Sequence, residues 1–190
     1  MAAPDTSRTG GGKGTLAAPL AALMVLAGAL SVAEDDRLTP YKDSAGIWTV
    51  CRGVTGPAVI PGKRYKAQEC AVLNNAAMHK HTDGIARCIN RPLQWYEWVA
   101  WGHFTYNVGV AGFCNSTAAR YLRAGNSEAA CAQIPSWRFI TIGGAKRDCR
   151  DRTWNCYGIV RRREWEMSMC RGDIPASNYP DIEAWLKEPA

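Results

Sequence analysis

The apolar positions of the chain form one long run near the N terminus, followed by several segments with helical spacing. Residues 14–33 are twenty residues without a charge, preceded by Arg8 and Lys13 and followed by acidic residues that begin at Glu34. As a helix, twenty residues rise by roughly 30 Å, which matches the hydrocarbon thickness of a bilayer. The pattern predicts a membrane-spanning segment, and the basic residues before it place the N terminus in the cytoplasm.

This segment is only weakly apolar, because eleven of its twenty residues are Ala, Gly, Ser or Thr and Pro19 interrupts it. It should insert into a membrane but be held there only marginally. Two interpretations compete: an uncleaved anchor, and a signal peptide cleaved after Ser31-Val32-Ala33. Cleavage there would leave Glu34 as the new N terminus and remove the structure that holds it. A functional Glu34 therefore favours the anchor.

After the apolar run, the spacing of apolar residues predicts mainly helices. They are expected at Lys66–Ile89, Pro92–Tyr106, Ser116–Leu122, Asn126–Ile134 and Ile159–Cys170, with Ser116-Thr117 and Asn126-Ser127 as caps. A strand is expected at Ile47–Val50 in one small β-element near residues 47–65. A glycine-rich turn is expected at residues 107–112, and a polar, basic loop at residues 143–158. The predicted class is α+β, mainly α.

These elements divide the chain into four parts. Residues 1–13 form a cytoplasmic N-terminal segment, residues 14–33 the anchor, residues 34–172 a single domain, and residues 173–190 a proline-containing tail. At 190 residues, with 47% hydrophobic and 21% charged residues, the chain is long enough for one domain with a real core.

Charge and cysteine content narrow the class of partner and the compartment. The net charge of +6 favours polyanionic partners, although a solvated basic surface explains so small an excess equally well. Eight dispersed cysteines, with no CxxC pair and no zinc spacing, predict disulfides in an oxidising compartment. Cys149–Cys156 is a plausible short loop closure, and the other pairings stay open. Export and disulfides argue against a nucleic-acid partner.

Three polar residues stand where the apolar run gives way to a turn and a strand. Glu34 follows the run directly, Asp43 lies among turn-forming residues, and Thr49 lies in the expected strand. A helix end, a chain reversal and a hairpin would bring these side chains to one cleft. Taken singly, each residue is more often structural than catalytic. Glu34 would be an interfacial flank of the apolar run, Asp43 a turn former and Thr49 an ordinary strand residue. The interpretation therefore depends on their combined spacing.

The spacing Glu34-x8-Asp43-x5-Thr49, within LTPYKDSAGIWTVCRGVTG, resembles the catalytic signature of phage-type lysozymes, glycoside hydrolase family 24. FTYNVGVAGFCNSTAARYL (104–122) and GIVRRREWEMSMC (158–170) resemble further segments of that family, so the resemblance covers most of residues 34–170. It implies a lysozyme-like domain with a small β-hairpin lobe and a helical lobe. It also implies hydrolysis of the β-1,4 bond between N-acetylmuramic acid and N-acetylglucosamine in peptidoglycan, which lyses the host cell.

Two positions depart from the family pattern. Asp35 stands where the family usually has Gly after the catalytic Glu, and Cys51-Arg52-Gly53-Val54 lacks the His that often follows the strand. Asp35 and Asp36 could raise the pKa of Glu34 through like-charge proximity, or they could blur which carboxylate is the acid. The missing His removes a structural partner and affects local rigidity more than chemistry.

The expected chemistry divides the work among the three residues. Glycoside hydrolysis needs a proton for the leaving oxygen and a group acting on the opposite sugar face. Glu34 is the expected general acid. Asp43, as a carboxylate, and Thr49 are expected to position and activate a water. This arrangement predicts inversion, with the carboxyl groups roughly 6.5–9.5 Å apart, and the family implies the same stereochemistry. The alternatives are a lytic transglycosylase and a non-catalytic peptidoglycan-binding module.

Four further residues are candidates for binding the substrate. The resemblance suggests that Asn107 hydrogen-bonds the sugar, that Ser116 and Thr117 lie in the cleft, and that Arg162 approaches the acid. Each residue also has a purely structural explanation. Asn107 could be a turn residue, Ser116 and Thr117 could cap a helix, and Arg162 could belong to a solvated basic face.

The histidines and the cofactor prediction complete the candidate chemistry. His79 and His81 point apart on a helix, so a surface run is favoured over a metal site. His103 is expected to be a core histidine with one satisfied nitrogen. No cofactor and no metal are predicted.

The weak anchor directly before Glu34 resembles that of signal-anchor-release endolysins, which are exported while tethered and later released into the periplasm. In the tethered state Glu34 would lie at the surface of the host inner membrane, where no cleft can form. Release would let residues near 20–33 refold as the helix leading into Glu34. Depolarisation should favour that exit, and disulfide exchange with an anchor thiol is not the trigger, because residues 14–33 contain no cysteine.

The expected partners are the peptidoglycan glycan strands and, before release, the inner membrane. The sequence leaves open whether a holin-type protein, acting indirectly, sets the timing of release. The enzyme itself is expected to be a monomer.

Overall fold

The computed structural model describes residues 14–33, 36–43 and 46–174. Its helices are α1 (Leu20–Ala33), α2 (Ala67–Ile89), α3 (Trp95–Val108), α4 (Val110–Cys114), α5 (Thr117–Arg123), α6 (Ser127–Cys131) and α7 (Tyr157–Arg171). Its strands are β1 (Arg37–Lys42), β2 (Trp48–Cys51), β3 (Val54–Thr55), β4 (Phe139–Ile142) and β5 (Ala145–Asp148). Short 3-10 turns occur at Ile134–Ser136 and Arg152–Trp154. The predicted α+β, mainly helical class is confirmed.

Helix α3 lies at the centre of the helical lobe. Every residue from Glu97 to Thr105 is buried, and α1, α2 and α7 all pack against this helix. Trp101 and Phe104 meet edge to face, and both rings contact Phe113 of α4. The aromatic-dense segment predicted at Pro92–Tyr106 is therefore the core helix, because its large apolar side chains, among them Trp98, Trp101 and Phe104, are buried.

Helix α1 packs against α3 and α2 along one face. That face buries Ala22, Leu26, Ala29 and Leu30. Gly102 of α3 allows the close approach, because a Cβ at that position would overlap the Leu26 side chain. The sequence predicted a membrane anchor over residues 14–33, whereas α1 is a fourteen-residue helix docked on the domain. Within the described ranges, no helix combines the length and the apolar character needed to cross a bilayer.

A three-stranded antiparallel sheet, in the order β1-β2-β3, forms the small lobe. The strand predicted at Ile47–Val50 is confirmed one residue later, as Trp48–Cys51. Val50, Val54, Val59 and Tyr65 form a separate small core. The disulfide Cys51–Cys70 joins this sheet to α2. The lobe that holds Asp43 and Thr49 is thus fixed covalently to the helical lobe.

The prediction of a polar loop at residues 143–158 is wrong in part. β5 lies within this range and pairs with β4 in an antiparallel hairpin. Gly143 and Gly144, both with positive φ, make its two-residue turn. The hairpin was not predicted because β5 contains basic residues typical of a loop, although β4 consists largely of β-branched residues. The predicted disulfide Cys149–Cys156 is confirmed beyond the hairpin.

One turn prediction and one helix prediction also need correction. The turn expected at residues 107–112 contains the start of α4, which begins directly after Gly109. The helix expected at Asn126–Ile134 ends at Cys131, and a 3-10 turn containing Pro135 follows. Proline lacks the amide hydrogen that a continuing helix needs. The remaining disulfides are Cys88–Cys114 and Cys131–Cys170.

Candidate active site

Asp43 and Thr49 are tied to the same residue of the β1–β2 turn. The Ile47 amide donates to Asp43 Oδ1 at 2.9 Å, and the Asp43 amide donates to the Ile47 carbonyl at 3.0 Å. The Thr49 hydroxyl donates to that carbonyl at 3.1 Å. The predicted chain reversal therefore exists, and it brings two of the three predicted catalytic residues together.

Thr49 lies in β2 opposite Tyr41 of β1 and Thr55 of β3, and it is only 3% exposed. Since its hydroxyl hydrogen is given to a carbonyl, its oxygen remains able to accept a hydrogen bond from a water. Asp43 Oδ1 is held by a backbone amide, which fixes the carboxylate at the start of the turn. A carboxylate and a hydroxyl acceptor fixed in this way can orient a water for attack.

Glu34, the predicted general acid, and its neighbour Asp35 lie outside the described residues. The residue before them, Ala33, ends α1. Arg162 of α7 donates from Nη2 to the Ala33 carbonyl at 3.2 Å. This contact joins residues 129 positions apart, and it places a guanidinium at the C-terminal end of α1. A cation there interacts favourably with the helix dipole.

Asn107, an exposed candidate at the end of α3, is tied to a buried ionic network. Arg163 Nη2 donates to Asn107 Oδ1 at 3.2 Å and to Glu166 Oε1 at 2.9 Å. Glu166 Oε1 also meets His103 Nδ1 at 2.7 Å. Arg163, Glu166 and His103 are 1%, 0% and 2% exposed. The prediction of His103 as a core histidine with a satisfied nitrogen is confirmed.

Ser116 and Thr117 occupy the start of α5. The Ser116 hydroxyl accepts from the Ala119 amide at 3.1 Å, which is an N-cap contact. Thr117 is the first residue of the helix and is exposed. The capping explanation for Ser116 is therefore confirmed, and binding of a sugar by either residue remains a prediction.

A cluster that the sequence did not indicate joins the two lobes. Arg52, just after β2, pairs with Asp36 at 3.4 Å, and its amide donates to Asn74 Oδ1 of α2 at 3.1 Å. The Tyr106 hydroxyl of α3 donates to the Arg52 carbonyl at 2.7 Å. Asp36, Asn74 and Tyr106 lie 16, 22 and 54 residues from Arg52 along the chain, so no local spacing could have identified them.

The histidine pair on α2 has two different environments. His79 is exposed, whereas the half-buried ring of His81 lies 5.0 Å from the Tyr106 ring. Burial first, and the charge of Lys80 second, lower the pKa of His81 to about 4. Among the described residues, the one group with metal-ligand geometry is Asp36 with Cys51 and Cys70. Both of these sulfurs are in a disulfide, so the group has no thiolate to offer a metal.

The sequence and the fold agree with known proteins. The family described as phage lysozyme matches residues 32–166. A SAR-endolysin of Escherichia phage 933W is 37% identical over 158 residues, which are 81% of this chain and 87% of the relative. A probable prophage lysozyme of Escherichia coli strain K12 is 36% identical over 140 residues, covering 72% of this chain and 77% of the relative.

The solved structure of an endolysin from Escherichia coli O157:H7 phage FAHEc1 is similar in fold. Its TM-score is 0.66 at 23% identity, over 86% of this chain and 98% of that one. With a family match over residues 32–166 and relatives named as endolysins and lysozymes, the chain is a glycoside hydrolase of the lysozyme class. It belongs to the phage lysozyme family.

Proposed function

We propose that this lysozyme is an endolysin that cleaves the β-1,4 bond between N-acetylmuramic acid and N-acetylglucosamine in peptidoglycan. The observation that carries the assignment of the site is the β1–β2 turn, where Asp43 and Thr49 both hydrogen-bond to Ile47. The contact between Arg162 and the Ala33 carbonyl supports Glu34 as the third member, because it brings α7 to the residue preceding that carboxyl group.

In the proposed reaction Glu34 gives its proton to the leaving glycosidic oxygen. Asp43 and Thr49 accept hydrogen bonds from a water and direct its oxygen to the anomeric carbon on the opposite sugar face. The water adds with inversion, and its proton passes to Asp43. Asn107, Ser116, Thr117 and Arg162 are the residues proposed to contact the glycan strand around the bond that breaks.

The proposal includes a membrane-bound stage. Residues 14–33 would act as a signal anchor in the host inner membrane, with the N terminus in the cytoplasm, and release would deliver the active enzyme to the periplasm. Two features support this: the uncharged run of twenty residues, and similarity to relatives named SAR-endolysins. The docked helix α1 would be the released form of the anchor, with Glu34 immediately after it.

The test of the site compares purified, soluble enzyme carrying Glu34→Gln, Asp43→Asn or the control Glu128→Gln. Glu128 is a surface carboxylate with its side chain 70% exposed, paired with Arg171. Hydrolysis of purified peptidoglycan should fall at least about 10³-fold for Glu34→Gln and Asp43→Asn, within the range general acid–base groups contribute, and should not change for Glu128→Gln. Undiminished hydrolysis by Glu34→Gln would overturn the assignment of the acid.

Analysis of the reaction products separates the proposed hydrolase from the other enzyme class. Hydrolysis leaves a reducing sugar end, whereas a lytic transglycosylase leaves a 1,6-anhydro end. Loss of activity in Asp43→Asn also favours the hydrolase, because the transglycosylase does not need an activated water.

The test of the anchor replaces Ala21 and Ala27 by leucine in the full chain, because both are exposed on α1 and leucine there does not disturb its packing on the domain. Each leucine makes membrane insertion more favourable, so the protein should stay in the membrane fraction and lysis should be delayed. Normal lysis by this variant contradicts release from the anchor and leaves the assignment of the catalytic residues standing.

A further inference from the structure

The segment of residues 14–17, which precedes α1, is attached to the domain through Thr15 at a site formed by Leu93 and Trp98. The Thr15 amide donates to the Leu93 carbonyl at 2.8 Å, and the Leu93 amide donates to the Thr15 carbonyl at 2.9 Å. This reciprocal pair is an isolated antiparallel bridge. Trp98 Nε1 lies 3.1 Å from the Thr15 hydroxyl and 3.3 Å from its carbonyl. Two donors of the domain, the Leu93 amide and the Trp98 indole N–H, therefore hold Thr15, whose own amide donates to the Leu93 carbonyl.

The site is built for this segment. Leu93 and Trp98 are each 1% exposed. Without Thr15, the Leu93 amide and the indole N–H would lose the partners they have in this structure, and an unpaired buried donor costs about 1–3 kcal/mol. Gly14 lies so close to the site that a Cβ would stand 3.0 Å from the Leu93 carbonyl carbon and oxygen. Only glycine fits there without displacing the backbone.

The bridge and a membrane span exclude each other at Thr15. In hydrocarbon, the backbone groups of a span must pair within the segment, which for a single span requires a helix. In the domain, Thr15 pairs with Leu93 in extended backbone, and α1 does not begin until Leu20. α1 is about 21 Å long at 1.5 Å per residue, whereas the full run of residues 14–33 would span roughly 30 Å. Thr15 lies at the cytoplasmic end of that run.

We propose that the Leu93–Trp98 site is a latch for residues 14–17, and that its closure requires the whole anchor to leave the bilayer. A partly withdrawn anchor could supply the residues of α1 but could not place Thr15 against Leu93. Closure of the latch then holds the N-terminal end of α1 on α3, while the contact from Arg162 to Ala33 holds the other end. The part of this inference that concerns the membrane rests on the proposed anchor function.

The first experiment measures the latch in the soluble protein, independently of any membrane. Amide hydrogen exchange is followed at Leu93 in the wild type, in Gly14→Val and in the control Gly158→Val. A Cβ at Gly158 meets nothing within 4 Å. The Leu93 amide should exchange at least tenfold faster in Gly14→Val than in the other two proteins. Equal exchange in all three overturns the latch.

Trp98→Phe provides a second variant in case Gly14→Val folds poorly. It removes the indole N–H and keeps an aromatic ring, so the amide bridge should loosen without loss of the domain. We expect faster exchange at Leu93, by about three- to tenfold, with protection of the core of α3 maintained. Unchanged exchange at Leu93 in this variant contradicts a contribution of Trp98 to the site.

The second experiment measures release of the full chain after membrane depolarisation. Gly14→Val should lower the fraction recovered in the soluble periplasmic extract at least fivefold relative to Ala27→Leu, a control that also makes the run more apolar but at an exposed position of α1 outside residues 14–17. If Gly14→Val loosens Leu93 yet is released like the control, the latch does not report complete withdrawal. That result leaves the proposed hydrolase unaffected, since the latter fails only if Glu34→Gln remains active.

Discussion

Arg162 and Ala33 are joined by a hydrogen bond of 3.2 Å between the last helix and the end of the first. The bond joins the end of α1 to α7, one residue before Glu34 in the sequence. Arg162 is half-buried, which shields the bond from full competition with water. The position of Glu34 is therefore expected to depend on a residue far away in sequence.

Arg162→Ala should lower the rate of peptidoglycan hydrolysis about tenfold. A hydrogen bond from a charged donor contributes about 1.5–3 kcal/mol, and 1.4 kcal/mol corresponds to a factor of ten in rate. Initial rates on purified peptidoglycan measure the effect. Arg171→Ala is the matched control, because Arg171 lies at the other end of the same helix and pairs with Glu128. An equal loss in both variants would show that general charge, and not this contact, sets the rate.

Gly102→Ala should destabilise the protein by weakening the packing of α1. The new Cβ would overlap the Leu26 side chain, which is 1% exposed and belongs to a tight interface. Overpacking of this kind costs about 1–3 kcal/mol. Urea unfolding measures the change in the free energy of unfolding, and activity should fall with it, because α1 leads directly into Glu34.

Gly112→Ala is the control for this substitution. A Cβ at Gly112 would approach Trp137 no closer than 3.9 Å, which is an ordinary contact. Alanine also has a higher helix propensity than glycine, so stability should stay level or increase slightly. A Gly102→Ala protein as stable as the wild type would show that Leu26 can move aside without cost.

Stability should decrease as the pH falls from about 6.5 to 4, in part because of His81. Burial and the neighbouring Lys80 lower the pKa of His81 from 6.5 to about 4. Between these values the unfolded chain binds a proton that the folded protein does not, so acid favours unfolding. The loss is at most about 3 kcal/mol, reduced by water at the half-exposed ring.

His81→Gln should flatten this part of the pH profile, while His79→Gln, at an exposed position, should not. The free energy of unfolding in urea, measured at pH 7, 6, 5 and 4 for the three proteins, makes the comparison. Carboxylates contribute to the slope equally in all of them. If the three profiles coincide, His81 is not held in its neutral form by the fold.

The sequence correctly predicted the elements whose structure is determined by residues close together along the chain. The helix at residues 67–89 follows from its apolar spacing, and the turn between Asp43 and Thr49 follows from turn-forming residues beside a short strand. In both cases neighbours along the chain decide the structure. The proposed role of these residues came from a family resemblance, because spacing alone cannot distinguish a catalytic Asp from a turn former.

The parts that the sequence did not predict depend on distant partners. Arg52 is held by Asn74 and Tyr106, and Arg163 by Glu166 and Asn107. In sequence, Arg163 is one of three consecutive arginines, which are typical of a solvated face, yet it is 1% exposed. Tertiary packing decides which member of a run of charged residues is buried. The spacing of apolar residues along the sequence contains no information about that packing.

Asn107→Asp tests whether the amide nitrogen of this residue contacts the substrate. Arg163 donates to Asn107 Oδ1, which orients the Nδ2 donor away from the guanidinium and leaves it available to a sugar oxygen. Aspartate keeps the shape and the acceptor facing Arg163 but has no N–H to donate. Loss of one such hydrogen bond should lower kcat/KM about tenfold, mainly through KM. Asn107→Gln retains the donor on a longer side chain and should recover part of the loss. If Asn107→Asp has wild-type kcat/KM on soluble glycan fragments, the residue serves the fold through Arg163 and not the substrate.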